Sequence, residues 1–248
     1  MRFLALEWRG VIVLAAVGLV LIGLTAGTSL AQQSILDDPS RPDADKARDS
    51  GSKPLEVYEW LGITRGMTVG DVVPASGYNS HILAGVVGEE GHVLSVFTSD
   101  RGKAGLDDRF GNAGIDNVEV LLDLEDVPDN SVDAFICVRN VHDMLIPDVA
   151  ERFGMQPDPI LGSILRTLKP GGIFGVVDAR TTRDGVDAET HRINEKMMIT
   201  ELEARGFELV DSSDLLAKPD DDYSQASFEG DGRYTLDRML LKFRKPSH

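Results

Sequence analysis

Five residues, Arg139-Asn140-Val141-His142-Asp143, directly follow the apolar run VDAFICV and place a carboxamide, an imidazole and a carboxylate within a short stretch of chain. Imidazole titrates near neutral pH, so His142 is a candidate general base, with Asp143 or Asp178 to orient its ring. Asp178 closes a second apolar run in GIFGVVDAR. The competing role for each of these residues is to cap the next helix or satisfy loop backbone. His191, followed by Arg192, is a weaker candidate, facing either a ligand cleft or water.

Other chemistries find less support. The histidines are His81, His92, His142, His191 and His248, with one cysteine and no H-E-x-x-H or C-x-x-C spacing, so no metal site is expected. The acids Asp220 to Asp222 lack the order of a calcium loop and read as a solvated excursion. Ser76 sits at a strand-to-helix turn, but Ala75-Ser76-Gly77-Tyr78-Asn79 is not a G-x-S-x-G elbow.

These residues need a scaffold that brings strand ends together. The stretch MTVGDVVPASGYNSHILAGV, Met67 to Val86, reads as a strand containing Asp71, a turn, and an amphipathic helix. Strands are expected near Thr68 to Val73, His92 to Phe97, Val118 to Leu122, Val132 to Val138 and Ile173 to Asp178. Helices are expected near Tyr78 to Val87, Lys103 to Phe110, Ile160 to Leu168 and Ala188 to Arg205, the last turning Ile193, Met197, Met198 and Leu202 to the core and His191 away from much of that stripe. Apolar strands separated by helices predict a parallel sheet with ligands at the strand C-termini. Two further strands, Phe207 to Ser212 and Tyr234 to Arg244, lack a crossover helix and so predict an antiparallel hairpin.

Five alternating units and a closing hairpin, with an Asp-turn-Gly after the first strand and LKPGG (Leu168 to Gly172) before the fifth, resemble the class I S-adenosylmethionine-dependent methyltransferases. The resemblance is nearest to an exported, predicted-methyltransferase group with an N-x-H-D after the fourth strand and an H-R-I helix. It covers residues 36 to 246. It implies a Rossmann-like α/β fold with a seven-stranded, mostly parallel sheet and helices on both faces. It further implies S-adenosylmethionine as cofactor, held by Asp71, Gly77, Tyr78, Asp123, Leu124 and Asn140, with His142, Asp143 and Asp178 beside a small-molecule acceptor. The family's turn D/E-x-G-x-G-x-G is matched by Asp71, Val73, Ala75 and Gly77, so two of three glycines are replaced. The acid that takes the ribose hydroxyls falls on Phe97, with Asp100 nearby as a substitute. This degeneracy leaves a rival reading open: an exported, non-catalytic binding or scaffolding domain that has lost cofactor affinity.

Composition sets the surroundings. Arg2 and Arg9 flank the start of an apolar run, Val11 to Leu24, and Ser29-Leu30-Ala31 fits a small-x-small cleavage site, so residues 1–31 read as a signal peptide and the protein as periplasmic or secreted. An uncleaved membrane anchor is the alternative; no other membrane contact is expected. Residues 32–54 are polar and read as a loosely packed arm ahead of one α/β domain, 55–248. Loss of Arg2, Arg9 and Glu7 with the leader moves the net charge from −16 to −17, which disfavours nucleic acid as a partner. Cys137, the lone cysteine, lies in an apolar run and reads as a buried structural thiol.

Overall fold

The computed structural model describes residues 33–97, 99–230 and 234–247. The leader lies outside these residues, and among them no helix is long and apolar enough to cross a membrane. The elements in chain order are α1 (Asp43–Lys46), α2 (Asp49–Ser52), α3 (Pro54–Leu61), β1 (Thr68–Val72), α4 (Tyr78–Val87), β2 (His92–Val96), α5 (Asp100–Ala113), β3 (Val118–Leu121) and β4 (Val132–Val138). There follow α6 (Val141–Met144), α7 (Pro147–Phe153), α8 (Pro157–Thr167), β5 (Leu168–Thr181), β6 (Val186–Asp187), β7 (Arg192–Asn194), α9 (Glu195–Glu203), β8 (Glu208–Ser213) and β9 (Arg238–Arg244).

Seven strands run in the order β3-β2-β1-β4-β5-β9-β8, with β9 alone antiparallel to its neighbours. The short β7 adds to the far end of β5, and β6 pairs with it. Strand β4 shows why the sheet is covered on both faces: Phe135 and Cys137 point into one apolar cluster with Phe174, Ile164 and Met198, while Ala134 and Ile136 point into another with Tyr58, Ile82 and Leu83. Gly70 lets β1 pass the Phe135 ring, which a β-carbon there would meet at 2.0 Å. Cys137 is buried as expected, and that burial pushes its thiol well above the ordinary range.

Register positions the site. Val72 pairs with Val96 on one side and Cys137 on the other, and Val138 pairs with Val177. The residues that leave β1, β2 and β4, namely Val73, Phe97 and Arg139, therefore stand side by side along one edge.

Three sequence expectations change. The helix expected over Ala188 to Arg205 starts only at Glu195, because His191 turns left-handed (φ 50°), Arg192–Asn194 joins the sheet, and Asn194 caps the helix by accepting from Lys196 N and Met197 N. The arm at 32–54 is not loosely packed. Its Arg41 is buried on a bidentate pair with Asp49 (2.7 and 2.8 Å), and Asp45 accepts from Arg109 at 2.7 Å. In the acid run, Asp221 is buried against Arg192 Nη1 at 2.9 Å rather than solvated.

Candidate functional site

A two-lobed cleft lies along the strand C-termini. One lobe, about 390 Å³, is walled by the arm, α3 and β9; the other, about 570 Å³, is walled by the ends of β2 and β3 with Phe153, Met155 and Ile160. Val73, Pro74, Ala75, Asn140 and Asp143 line both lobes, so these five residues form the waist between them.

The first turn is left-handed at three positions, although only one of them is glycine. Val73 (φ 55°), Ala75 (φ 51°) and Gly77 (φ 84°) all adopt the left-handed conformation that the three family glycines would adopt freely. For Val73 and Ala75 this costs roughly 1–2 kcal/mol each. Gly77 lines neither lobe. A side chain there would meet Leu106 at 2.7 Å and Phe110 at 2.9 Å, so its glycine is required by packing against α5.

Several expected cofactor contacts lie in the core instead. Asp71 is fully buried beneath the turn, with one oxygen taking the Ser80 hydroxyl proton at 2.6 Å and Oδ1 without a partner. Burial raises its carboxyl to about 7, with the Ser80 hydrogen bonds pulling the other way. Leu124 is 0% exposed and packs inside the sheet. Tyr78 does line the first lobe, but its hydroxyl is committed to Asp49 at 2.7 Å. Asp123 and Phe97 line the second lobe, and Asn140 stands at the waist. Asp100 opens α5 and lines neither lobe.

The buried Asp71 gives a sign-definite prediction. A carboxyl whose folded pKa is raised holds its proton more tightly in the fold, so its contribution is complete below about pH 4 and is lost as pH climbs through about 7. Asp71→Asn should therefore stabilise the protein at pH 8 by on the order of 2–4 kcal/mol and leave it nearly unchanged at pH 4. Urea midpoints at the two pH values check this; equal shifts at both would remove the burial argument.

Behind the waist, four titratable side chains form a chain. His142 is buried, and its Nδ1 lies 2.6 Å from Asp178 Oδ1 while its Nε2 lies 3.0 Å from Asp143 Oδ1. Asp178 also accepts from the backbone N–H groups of His142 (3.1 Å) and Ala179 (2.8 Å). His191 Nδ1 approaches the same Asp143 oxygen at 2.6 Å, and its ring meets Phe228 edge-on. Burial alone would lower His142, but the carboxylates of Asp178 and Asp143 outweigh it and push the imidazole up to about 9. Burial would raise Asp143, yet hydrogen bonds and charge from His142 and His191 hold it below the usual carboxylate range.

This geometry corrects the expected roles. His142 and Asp178 line neither lobe, so His142 is a buried imidazolium between two carboxylates rather than an accessible base. Asp143 is the member of the group that reaches the cleft. The donor atoms of His142, Asp143 and His191 lie within 4.8 Å of one another, but hydrogen bonds to one Asp143 oxygen already engage both rings. The role of His191 escaped the sequence because 48 residues separate it from Asp143. The arginines of the first lobe, Arg48 and Arg238, escaped for the same reason; the one local hint was a charged residue opening the apolar strand RMLLKFR.

A SAM-dependent methyltransferase from Aquifex aeolicus aligns over 86% of this chain and 97% of its own, at 23% identity and a TM-score of 0.60. The chain has the class I methyltransferase fold. An arsenic(III) S-adenosylmethionine methyltransferase from Chlamydomonas reinhardtii aligns over 87% of this chain and 73% of its own, at 18% identity and a TM-score of 0.54. The cyclase SpnF aligns over 83% and 82%, at 20% identity and a TM-score of 0.58, so this methyltransferase fold also carries chemistry other than transfer. No protein-family profile matches the chain, and no curated protein sequence does.

Whether S-adenosylmethionine suits this methyltransferase fold can be tested on the residues present. The turn at Val73, Ala75 and Gly77 has left-handed backbone at each of the three positions that the resemblance assigns to glycine. The second lobe supplies a carboxylate at Asp123 and an apolar wall at Phe97, Leu122, Met155 and Ile160, which suits a nucleoside. Phe97, directly after β2, stands where the resemblance places the ribose acid. The remaining donor set fits the group.

Proposed function

We propose that this protein is an S-adenosylmethionine-dependent methyltransferase acting on a small-molecule acceptor, exported behind the leader at residues 1–31. One observation carries the reading: a nucleoside-sized lobe and a second lobe meet at a waist where Asp143, backed by buried His142 and half-buried His191, lines both.

S-adenosylmethionine, when bound, supplies an electrophilic methyl carbon. Asp123, Phe97, Asn140 and the turn at Val73 to Ala75 would hold it. Methyl transfer is an in-line displacement, so the protein contributes alignment and removal of the acceptor's proton. Asp143 takes that proton, and His191, 2.6 Å from the same carboxylate, positions it and shares its charge. Asp178 and the His142 cation fix Asp143 from behind, so its orientation is set before an acceptor arrives.

Loss of the ribose acid removes charged hydrogen bonds of about 1.5–3 kcal/mol, or about tenfold to a hundredfold in affinity. Calorimetry with S-adenosylmethionine and S-adenosylhomocysteine tests the proposal. Micromolar dissociation constants support it; silence at millimolar ligand favours the non-catalytic binding domain. Asp123→Ala should weaken cofactor binding by about tenfold and Asp100→Ala by less than twofold. The reverse ranking would move the adenosine contacts to the start of α5.

A further inference from the structure

The chain carries a net charge of −16, yet among the described residues the charged ones lining its first lobe are Arg48, Arg139, Arg238 and one acid, Asp143, which two histidines already engage. A buried guanidinium is costly without a counter-charge. Elsewhere the protein obeys that rule: Arg41, 2% exposed, is matched by Asp49 at 2.7 Å, and Arg192, 0% exposed, by Asp221 at 2.9 Å.

Arg238 breaks it. It is 2% exposed and has no ion pair among the described residues; Nη2 donates to the carbonyls of Gly51 and Tyr234, and Nε has no partner. Burial, helped by the neighbouring Arg139 charge, depresses it to about 10. Arg48 is held over the rings of Tyr78 (4.1 Å) and Tyr234 (4.5 Å), and its one carboxylate contact among the described residues, to Asp45, is long at 3.5 Å. Arg139 donates to Ser227 O and completes the basic side of the lobe.

We propose that this lobe recognises a small-molecule anion, a carboxylate or phosphate monoester borne by the acceptor, with Arg48 and Arg238 supplying the missing counter-charge. The inference rests on the transferase reading only for the word acceptor. Val57, Tyr58 and Leu216 provide apolar walls, so the anion sits at one end of an amphiphilic molecule.

The test compares benzoate with its neutral isostere benzamide by calorimetry on the purified protein, with inorganic phosphate as competitor. Benzoate should bind about tenfold or more tightly than benzamide and be displaced by phosphate. Arg48→Gln should bring the ratio near one, while Arg238→Lys, which keeps the charge, should retain part of the preference. Equal binding of acid and amide, or no saturable benzoate binding at millimolar concentration, overturns the proposal. So does an Arg48→Gln variant that loses S-adenosylhomocysteine binding while keeping the benzoate preference, because the arginines would then serve the cofactor's own carboxylate. Anion preference without any S-adenosylhomocysteine binding would leave this site standing and remove the transferase reading instead.

Discussion

Asp143→Asn should reduce S-adenosylhomocysteine release, measured against a panel of phenols, amines and carboxylic acids, by about a hundredfold to ten-thousandfold. The amide keeps the oxygen that His142 Nε2 and His191 Nδ1 approach at 3.0 and 2.6 Å, so the side-chain arrangement should persist. What disappears is the negative charge at the waist of the cleft and, with it, the group able to share an acceptor's proton. Cofactor affinity should change by less than about threefold, because the adenosine contacts lie in the other lobe. His191→Ala should reproduce most of the loss, and the double variant should be little worse than either single one, as expected of two groups acting as one unit. An Asp143→Asn protein within about threefold of wild-type turnover would dismiss Asp143 from the chemistry.

Asp178→Asn acts on stability. This carboxylate is fully buried and faces the His142 cation at 2.6 Å, so its removal leaves an imidazolium with half its compensation. Breaking a buried pair in this way costs about 3–5 kcal/mol. The sign of the pH dependence follows from His142. Its folded pKa, about 9, stands above the ordinary value of 6.5, so the stabilisation is fully present below about pH 6.5 and is lost as pH rises through 9. The penalty for Asp178→Asn, read from urea unfolding, should therefore be largest near pH 6 and shrink above pH 9. A penalty that is flat across this range would mean that His142 is neutral in the fold.

The sheet was legible in the sequence where strands are buried on both faces. Val132–Val138 and Tyr78–Val87 have the expected bounds, because a continuous apolar run ended by a polar residue, or an apolar helical face ended by Gly88, leaves few alternatives. The site was legible only as a neighbourhood. Asp71, Gly77 and Leu124 lie next to the cleft along the chain, but the Asp71 side chain turns inward to Ser80, Leu124 packs into the core, and Gly77 is held close against Leu106 and Phe110. The arm at 32–54 was misread because charged residues signal solvent, whereas Arg41 and Asp45 are buried in ion pairs with distant partners. His191 was placed on a helix because its neighbours have helical spacing; one left-handed residue is enough to end that pattern.

Val73, Ala75, Phe97 and Arg139 share a property that reaches beyond their contacts: none is glycine, yet all have φ between 51° and 64°, at the ends of three adjacent strands. Among the described residues, four of the eight non-glycine positions with left-handed backbone thus stand together along one rim of the sheet. A guest entering such a rim meets walls that folding has already wound into place. The conformational cost of seating it falls on the assembly of the protein, once, and not on each encounter.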